Sequence, residues 1–200
     1  SNAVGLRVLR QILLGSCYQS DVNLGNFGVV HDKTGELIKQ KNQPVVCWYD
    51  SGAIETITQE EQKTLVSLIL AFNNVGNKVN ELPILLSSMV KLDEDEVGSF
   101  QAKLTSWLQQ SHIEAEGLDK IKEQFEAFVD FVASQDKEVS ENWIKIANTI
   151  AMLAPLMKAP ANSDEGKHAQ FLTATIQSLV KESVSKHFSL VEKIQLGINS

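Results

Sequence analysis

Apolar residues recur every three or four positions along most of this chain, a spacing typical of amphipathic helices packed around a core. The first stripe lies between Val4 and Ser16, and further stripes follow Thr58 through to the C-terminal end. Between them, the apolar runs at 27–30 and 45–49 predict two short strands joined by a polar, solvated turn or loop over 34–43. We therefore expect a mainly α protein with one short β-hairpin, and only helices beyond Asp50.

Local signals place the starts and stops of these helices. Thr58 with Glu61, and Asp93 with Glu96, have the spacing of a capping box. Because proline is poorly tolerated inside a helix, Pro83 implies a kink or a late start in the helix expected from about residue 77. The remaining helices are expected after the break at residue 117, from Ser140 onward, and as one long element over 164–196.

Two of these helices have distinctive apolar patterns. The helix after Ser140 is apolar nearly all round, so we expect Trp143, Ile146 and Ile150 to be among the most buried residues. The last helix has one apolar stripe and one polar face, which predicts packing against the bundle. Docking of a partner, or helix-mediated self-association, remains open for that stripe.

Polar residues with possible chemistry are concentrated around the predicted hairpin. Asp21 is followed five residues later by Asn26, and Asp50 lies just after the second strand. In a loop–strand–turn–strand arrangement these three side chains would converge at the open end of the hairpin. Carboxylate and amide oxygens suit Mg²⁺, which binds hard oxygen ligands at roughly 2.0–2.1 Å. The simpler interpretation is that Asp and Asn merely cap turns in a polar hairpin.

Composition restricts the classes of function. The 200 residues carry a net charge of −7, which argues against the basic footprint of a nucleic-acid-binding protein. No apolar run approaches the length of a membrane span. Cys17 and Cys47 form no disulfide framework, so we expect small buried apolar side chains and a reducing compartment, cytoplasmic or peripheral to a membrane.

The loop and hairpin resemble those of the UbiB-type atypical kinases, the ubiquinone-biosynthesis kinase-like family. That family carries a stretch like His-Ala-Asp-Pro-His-Pro-Gly-Asn, then a hairpin, then Leu-Asp-Phe-Gly. Here residues 19–26 read Gln-Ser-Asp-Val-Asn-Leu-Gly-Asn, and residues 49–52 read Tyr-Asp-Ser-Gly. Weaker similarity continues through 57–65, 71–77 and 140–147, so the resemblance extends over about residues 4–160.

The resemblance implies the C-lobe of a protein-kinase-like fold over 4–160, with 161–200 as a C-terminal long helix packed on it. Residues 1–3 read Ser-Asn-Ala, and we interpret them as a tag remnant. It implies ATP and Mg²⁺ as cofactors, with Asp21 as the catalytic-loop aspartate and Asn26 and Asp50 as metal ligands. A nucleotide would be the small-molecule partner, and a lipid or a protein the substrate.

These 200 residues lack the motifs of a kinase N-lobe. The chain has no G-x-G-x-x-G, no strand-borne Val-Ala-x-Lys and no Lys-x-Gly-Gln of the UbiB type. We expect such a lobe upstream of Val4, and we expect these 200 residues alone to be inactive.

Two alternatives remain open. The substitutions in the family motif, among them Gln19, Asn23 and Ser51, leave room for a pseudokinase or a helical interaction module with a vestigial site. The Asp–Asn–Asp order also occurs in the HipA toxins and in small-molecule kinases, so the C-lobe of such a kinase is the other alternative.

Overall fold

The computed structural model describes residues 2–40, 43–49, 53–72, 81–110, 117–159 and 163–195. These residues form a mainly helical structure with a few short strands, as the apolar spacing predicts. The helices of the described residues are α1 (Asn2–Leu14), α2 (Gln59–Phe72), α3 (Leu82–Ser87), α4 (Val97–Gln110), α5 (Gly117–Ser134), α6 (Glu141–Leu153), α7 (Glu165–His187) and α8 (Leu190–Gln195).

Among the described residues, the strands form three short antiparallel pairs. The strands are β1 (Cys17–Gln19), β2 (Phe27–Val29), β3 (Lys39–Gln40), β4 (Gln43–Pro44), β5 (Val46–Trp48) and β6 (Ile54–Thr56). β2 pairs with β5, β3 pairs with β4 between them, and β1 pairs with β6. The predicted hairpin is therefore confirmed. The segment expected to be only a turn or loop also contains the β3–β4 pair, which continues the hairpin outward.

Helix α1 lies at the centre of the structure. It contacts α2, α6, α7 and β1, as well as a short 3₁₀ turn at Pro155–Met157. The face of α1 that packs on these elements is fully buried at Val8, Ile12 and Leu13. Because β1 follows α1 after only two residues, the packing of α1 fixes where the hairpin region leaves the bundle.

Side chains from other helices satisfy the carbonyls at the C-terminal end of α1. The buried amide of Gln62 on α2 donates to the Ile12 oxygen at 2.9 Å and to the Gly15 oxygen at 2.6 Å. From α7, the Ser183 hydroxyl donates to the Leu13 oxygen at 2.9 Å, and Lys186 donates to the Leu14 oxygen. These carbonyls have no donors within the helix, and packing keeps water away from them. The side chains of α2 and α7 therefore provide the hydrogen bonds that water would otherwise make.

The local start signals of the helices are largely confirmed. Thr58 and Glu61 form a reciprocal capping box, with the Thr58 amide 2.8 Å from the Glu61 carboxylate and the Glu61 amide 3.2 Å from the Thr58 hydroxyl. Asp164 caps α7 by accepting from the Lys167 amide. Pro83 lies in the first turn of α3, where its missing N–H is harmless, so the late start is the correct alternative.

The expectation of helices alone beyond Asp50 is wrong. The strand β6 follows at 54–56 and pairs with β1, although the described residues after Ile57 contain no strand of five or more residues. β6 is too short for a periodic signal, and its pairing depends on a partner more than thirty residues earlier in the chain. A single bridge between Val90 and Val139 is the other β contact in this part.

The single C-terminal helix expected over 164–196 is broken. Helix α7 ends at His187, Phe188 is extended, and α8 begins at Leu190. Ser189 and Glu192 form a second reciprocal capping box, with the Ser189 amide 2.6 Å from the Glu192 carboxylate. The Ser-x-x-Glu spacing was therefore a readable start signal inside the apolar stripe.

Burial of α6 and of the cysteines also departs from expectation. Trp143 and Ile146 are buried as predicted, but Ile150 is only partly buried and Ile144 is 37 % exposed. The helix thus lies at the side of the core. Cys17 and Cys47 are both exposed, because each lies in a two-stranded pair that the bundle covers incompletely. Among the described helices, none has the length and apolarity needed to cross a lipid bilayer.

Truncation of Ile146 tests the assignment of the core. Ile146 is 1 % exposed, so Ile146→Ala is expected to lower the free energy of unfolding by about 2–5 kcal/mol through lost burial and a residual cavity. Ile144→Ala on the same helix is the matched control and is expected to lower it by less than about 1 kcal/mol. Urea unfolding followed by circular dichroism measures both, and equal losses would contradict this orientation of α6.

Removal of the Gln62 amide tests the tertiary capping of α1. Gln62→Met keeps the length of the side chain and removes both donated bonds, so we expect a loss of about 1–3 kcal/mol in the free energy of unfolding. Gln109→Met, at an exposed position of α4, should change it by less than about 0.5 kcal/mol. A neutral Gln62→Met variant would show that these carbonyls do not need the amide.

Candidate functional site

A short turn brings the side chains of Asp21 and Asn26 together. The Asn23 side chain accepts from the Gly25 amide at 3.1 Å, and the Asn26 amide donates to the Asn23 carbonyl at 2.9 Å. These bonds close a 3₁₀ turn at Leu24–Asn26 that leads directly into β2. As a result, the Asn26 side-chain nitrogen donates to Oδ2 of Asp21 at 2.7 Å. The five-residue spacing therefore becomes a direct contact.

This contact determines which atom of Asn26 is available to a ligand. A carboxylate accepts hydrogen bonds only, so the side of the amide that faces Asp21 must be the nitrogen. The Asn26 amide oxygen is then directed away from that bond. Asp21 is exposed and Asn26 is half-buried, so solvent reaches both side chains.

Helix α1 holds the start of the loop through Gln19. The Gln19 backbone amide donates to the Gln11 side-chain oxygen on α1 at 3.2 Å. The buried Gln19 side chain donates to the Asp21 carbonyl at 3.4 Å. Val22 is also buried, which anchors the loop just after Asp21. Gln19 and Asn23 thus both hold the conformation of this loop.

Described residues on both sides of the segment 50–52 bond to the same loop. The Tyr49 amide donates to the Asn26 carbonyl at 2.7 Å. Both the amide and the hydroxyl of Ser20 donate to the Ala53 carbonyl, at 2.8 and 2.9 Å. Asp50 itself lies outside the described residues. The convergence of Asp21 and Asn26 is thus observed, whereas the expectation that Asp50 joins them stays a prediction.

Aromatic residues stabilise the hairpin that follows the loop. Phe27 and Trp48 are directly paired across β2 and β5, and their ring centroids are 5.5 Å apart. Tyr49 lies over Gly28 on the other face, where an added Cβ would come within 2.7 Å of the tyrosine oxygen. The exposed Tyr49 ring thus covers the backbone at position 28 and fills the space that a side chain there would need.

Beneath the loop, a polar cluster joins the β1–β6 pair to α6. Lys145 on α6 bridges Glu55 at 3.2 Å and Glu141 at 3.0 Å. Tyr18 is buried beside this cluster. Burial, together with the negative charge of Glu55, raises the pKa of Tyr18 to about 12, so the phenol stays protonated. The sequence gives no signal for this cluster, since its members lie about ninety residues apart.

The acidic run 93–96 behaves as the start of a helix, as expected. The Glu96 carboxylate accepts from the Asp93 amide at 3.3 Å and pairs with Lys137 at 2.5 Å. The bond from Lys137 holds the pKa of Glu96 below its usual range. Within the described ranges, no group of three His, Cys, Asp or Glu side chains is arranged to hold a metal ion.

An open groove of about 340 Å³ lies along α5 and α6, away from the loop. Its lining is mixed, with the apolar side chains Val129, Val139 and Ile144 beside charged residues such as Lys91 and Glu138. None of the lining residues belongs to the loop or the hairpin. The groove is therefore a separate surface and not an extension of the candidate site.

An exchange of the two side chains tests the contact between Asp21 and Asn26. Asn26→Asp alone places two carboxylates against each other, so the hairpin should open more often through like-charge repulsion. The double variant Asp21→Asn/Asn26→Asp restores one donor and one acceptor and should recover most of the loss. The readout is hydrogen exchange of the Tyr49 amide, which is bonded to the Asn26 carbonyl. If the double variant exchanges as fast as Asn26→Asp, the side chains do not interact.

Comparisons of this chain with protein-family models, with curated proteins and with solved structures find no match. The functional argument therefore depends on the residues of the loop and hairpin themselves.

Proposed function

We propose that this chain supplies the metal-binding part of an ATP- and Mg²⁺-dependent phosphoryl-transfer site, in the manner of a UbiB-like kinase C-lobe. Asp21 would accept the proton of the substrate hydroxyl, and Asn26 and Asp50 would be the metal ligands. The observation that carries the proposal is the 2.7 Å bond between Asn26 and Asp21, since it orients a candidate base and a candidate ligand in one small loop.

The donor chemistry of the loop fits a hard divalent cation. The Asn26 amide oxygen is directed away from Asp21, and Mg²⁺ binds few protein oxygens while keeping several waters. The exposure of Asp21 suits a cation that remains partly hydrated. When bound, Mg²⁺ would neutralise charge on the phosphates of the nucleotide.

The hairpin supports the proposal by tethering both flanks of Asp50. Tyr49 is bonded to Asn26, and Ala53 is bonded to Ser20, one residue before Asp21. Phosphoryl transfer depends on such positioning more than on covalent chemistry by the protein. A proton acceptor held in a fixed loop contributes about 10²–10⁴-fold, which is far below the acceleration of a complete kinase site.

A non-catalytic binding module is the second candidate. The observation that favours it is that Gln19 and Asn23 both use their side chains to hold the loop, so the loop keeps its shape without a ligand. The two candidates differ in one property that can be measured, which is binding of a divalent cation at Asn26.

Binding of Mn²⁺, a paramagnetic substitute for Mg²⁺, tests the proposed site directly. In nuclear magnetic resonance spectra with ATP present, Mn²⁺ should broaden the Asn26 side-chain amide and the Tyr49 backbone amide before other signals. Asp50→Asn should reduce this broadening, and Asp130→Asn, at an exposed site on α5, should leave it unchanged. Uniform broadening, or the same response in Asp50→Asn, would contradict the metal site.

Turnover provides the second part of this test. The 200 residues alone should hydrolyse no measurable ATP and bind nucleotide weakly, because the chain has neither a phosphate-covering loop nor its lysine. A longer protein that adds an N-terminal lobe should turn over ATP with Mg²⁺, and Asp50→Asn should remove most of that activity. Turnover by the 200 residues would show that the lobe is not needed. A longer protein that neither binds nor hydrolyses ATP would leave the non-catalytic module as the better assignment.

A further inference from the structure

His187, the last residue of α7, is buried with one ring nitrogen unpaired. It is 8 % exposed, and its ring lies near the Leu13 carbonyl at the end of α1. Within the described residues, Nε2 is buried and has no hydrogen-bond partner. A neutral imidazole carries one N–H and a protonated one carries two, so a second proton would place a charge and a further donor in buried surroundings.

The charges around this ring oppose a second proton. Lys186 on the same helix and Lys63 on α2 both lower the pKa of His187, and burial lowers it most. The carboxylates on adjoining turns are already paired, Glu192 of α8 with Lys63 at 2.8 Å and Glu182 of α7 with Arg10 at 2.6 Å. The Leu13 carbonyl raises the pKa of His187 but does not outweigh burial.

His187 lies where four helices meet. Its backbone carbonyl accepts from the Gln59 side chain of α2 at 3.2 Å. The next residue, Phe188, is buried, and the Lys63 ammonium lies 5.9 Å from its ring centroid. The same part of α7 caps α1 through Ser183 and Lys186. A change at this ring therefore acts on the attachment of α7 and α8 to α1 and α2.

We infer that His187 is an acid-sensitive latch that fastens the end of α7, and with it α8, to the C-terminal end of α1. A proton on Nε2 creates a buried donor and a buried positive charge, with Lys186 and Lys63 close by and no acceptor among the described residues. The favourable response is to expose the ring, which loosens the end of α7 from α1 and α2.

The direction of the pH dependence follows from proton linkage. The unfolded or opened form binds the proton with the ordinary histidine pKa, near 6.5, and the closed form binds it more weakly. Stability of the contact is therefore complete above pH 6.5 and falls as the pH drops below it. A single proton increases the opening equilibrium constant by at most about tenfold per pH unit.

Opening of the latch is expected to affect the conformation of the loop, because α1 connects the two. Leu13 and Leu14 are the last residues of α1 before the turn into β1, and Gln11 of the same helical turn holds the Gln19 amide at 3.2 Å. Acid release is thus expected to loosen the start of the loop as well as α8. This inference does not depend on the proposed phosphoryl-transfer function.

Hydrogen exchange across a pH series tests the latch. The probes are the Gly15 amide, bonded to the Gln11 carbonyl, and the Phe188 amide, bonded to the Val184 carbonyl. After correction for intrinsic exchange, their opening constants should increase between pH 7 and pH 5, by up to about tenfold per unit. His187→Gln keeps a polar side chain at this position and cannot titrate, so its opening constants should stay flat over this range.

Two controls keep the test decisive. His31→Gln, in the exposed hairpin turn, should retain the wild-type pH dependence. If His187→Gln fails to fold, the ring-proton titration of His187 in the wild-type chain decides, and its midpoint should lie below the ordinary histidine pKa of about 6.5. A midpoint at or above about 6.5 would overturn the inference. So would a His187→Gln variant that folds and keeps the wild-type slope.

Discussion

The last turn of α1 leaves backbone carbonyls that no helical hydrogen bond can satisfy, at a place where packing excludes water. The Gly15 amide donates to the Gln11 carbonyl. The Gln62 side chain donates to the carbonyls of Ile12 and Gly15. Side chains of α7 donate to the carbonyls of Leu13 and Leu14. An unpaired buried carbonyl costs about as much as a lost hydrogen bond, so α1, α2 and α7 depend on one another for stability. Most other contacts of the bundle are apolar and less directional.

This constraint also determines how the candidate site is held. β1 leaves α1 two residues after the capped turn, and the Gln19 amide is bonded back to Gln11. From there the loop is shaped almost entirely by its own residues, since the Asn23 side chain starts the 3₁₀ turn that delivers Asn26 to Asp21. The helical bundle fixes the position at which the loop begins, and the hydrogen bonds of the loop set its conformation.

The same end of α1 contains the least satisfied buried polar group of the region. Among the described residues, the buried Nε2 of His187 has no hydrogen-bond partner, and its surroundings include two lysines. Gln62 and Ser183 satisfy carbonyls of the same turn with side chains that do not titrate. The histidine therefore adds pH sensitivity to a contact that neutral side chains serve elsewhere in the same turn.

The amino-acid sequence by itself determined what depends on neighbours within a few positions. The Thr58 box, the strands at 27–30 and 45–49, and the meeting of Asp21 with Asn26 follow from local hydrogen bonds and apolar period, and all are observed. The break at Phe188 had a local signal too, in Ser189 and Glu192, although the continuous apolar stripe obscured it.

Only the tertiary structure decided the rest. The pairing of β1 with β6, the exposure of the cysteines and the partial burial of Ile150 each depend on which surfaces distant elements cover. The hydrogen bonds that cap α1 join residues whose separation along the chain ranges from 47 to 172 positions. Apolar period shows that a face is to be buried, but it does not specify the partner, because hydrophobic burial is non-directional and any surface of suitable shape can provide it.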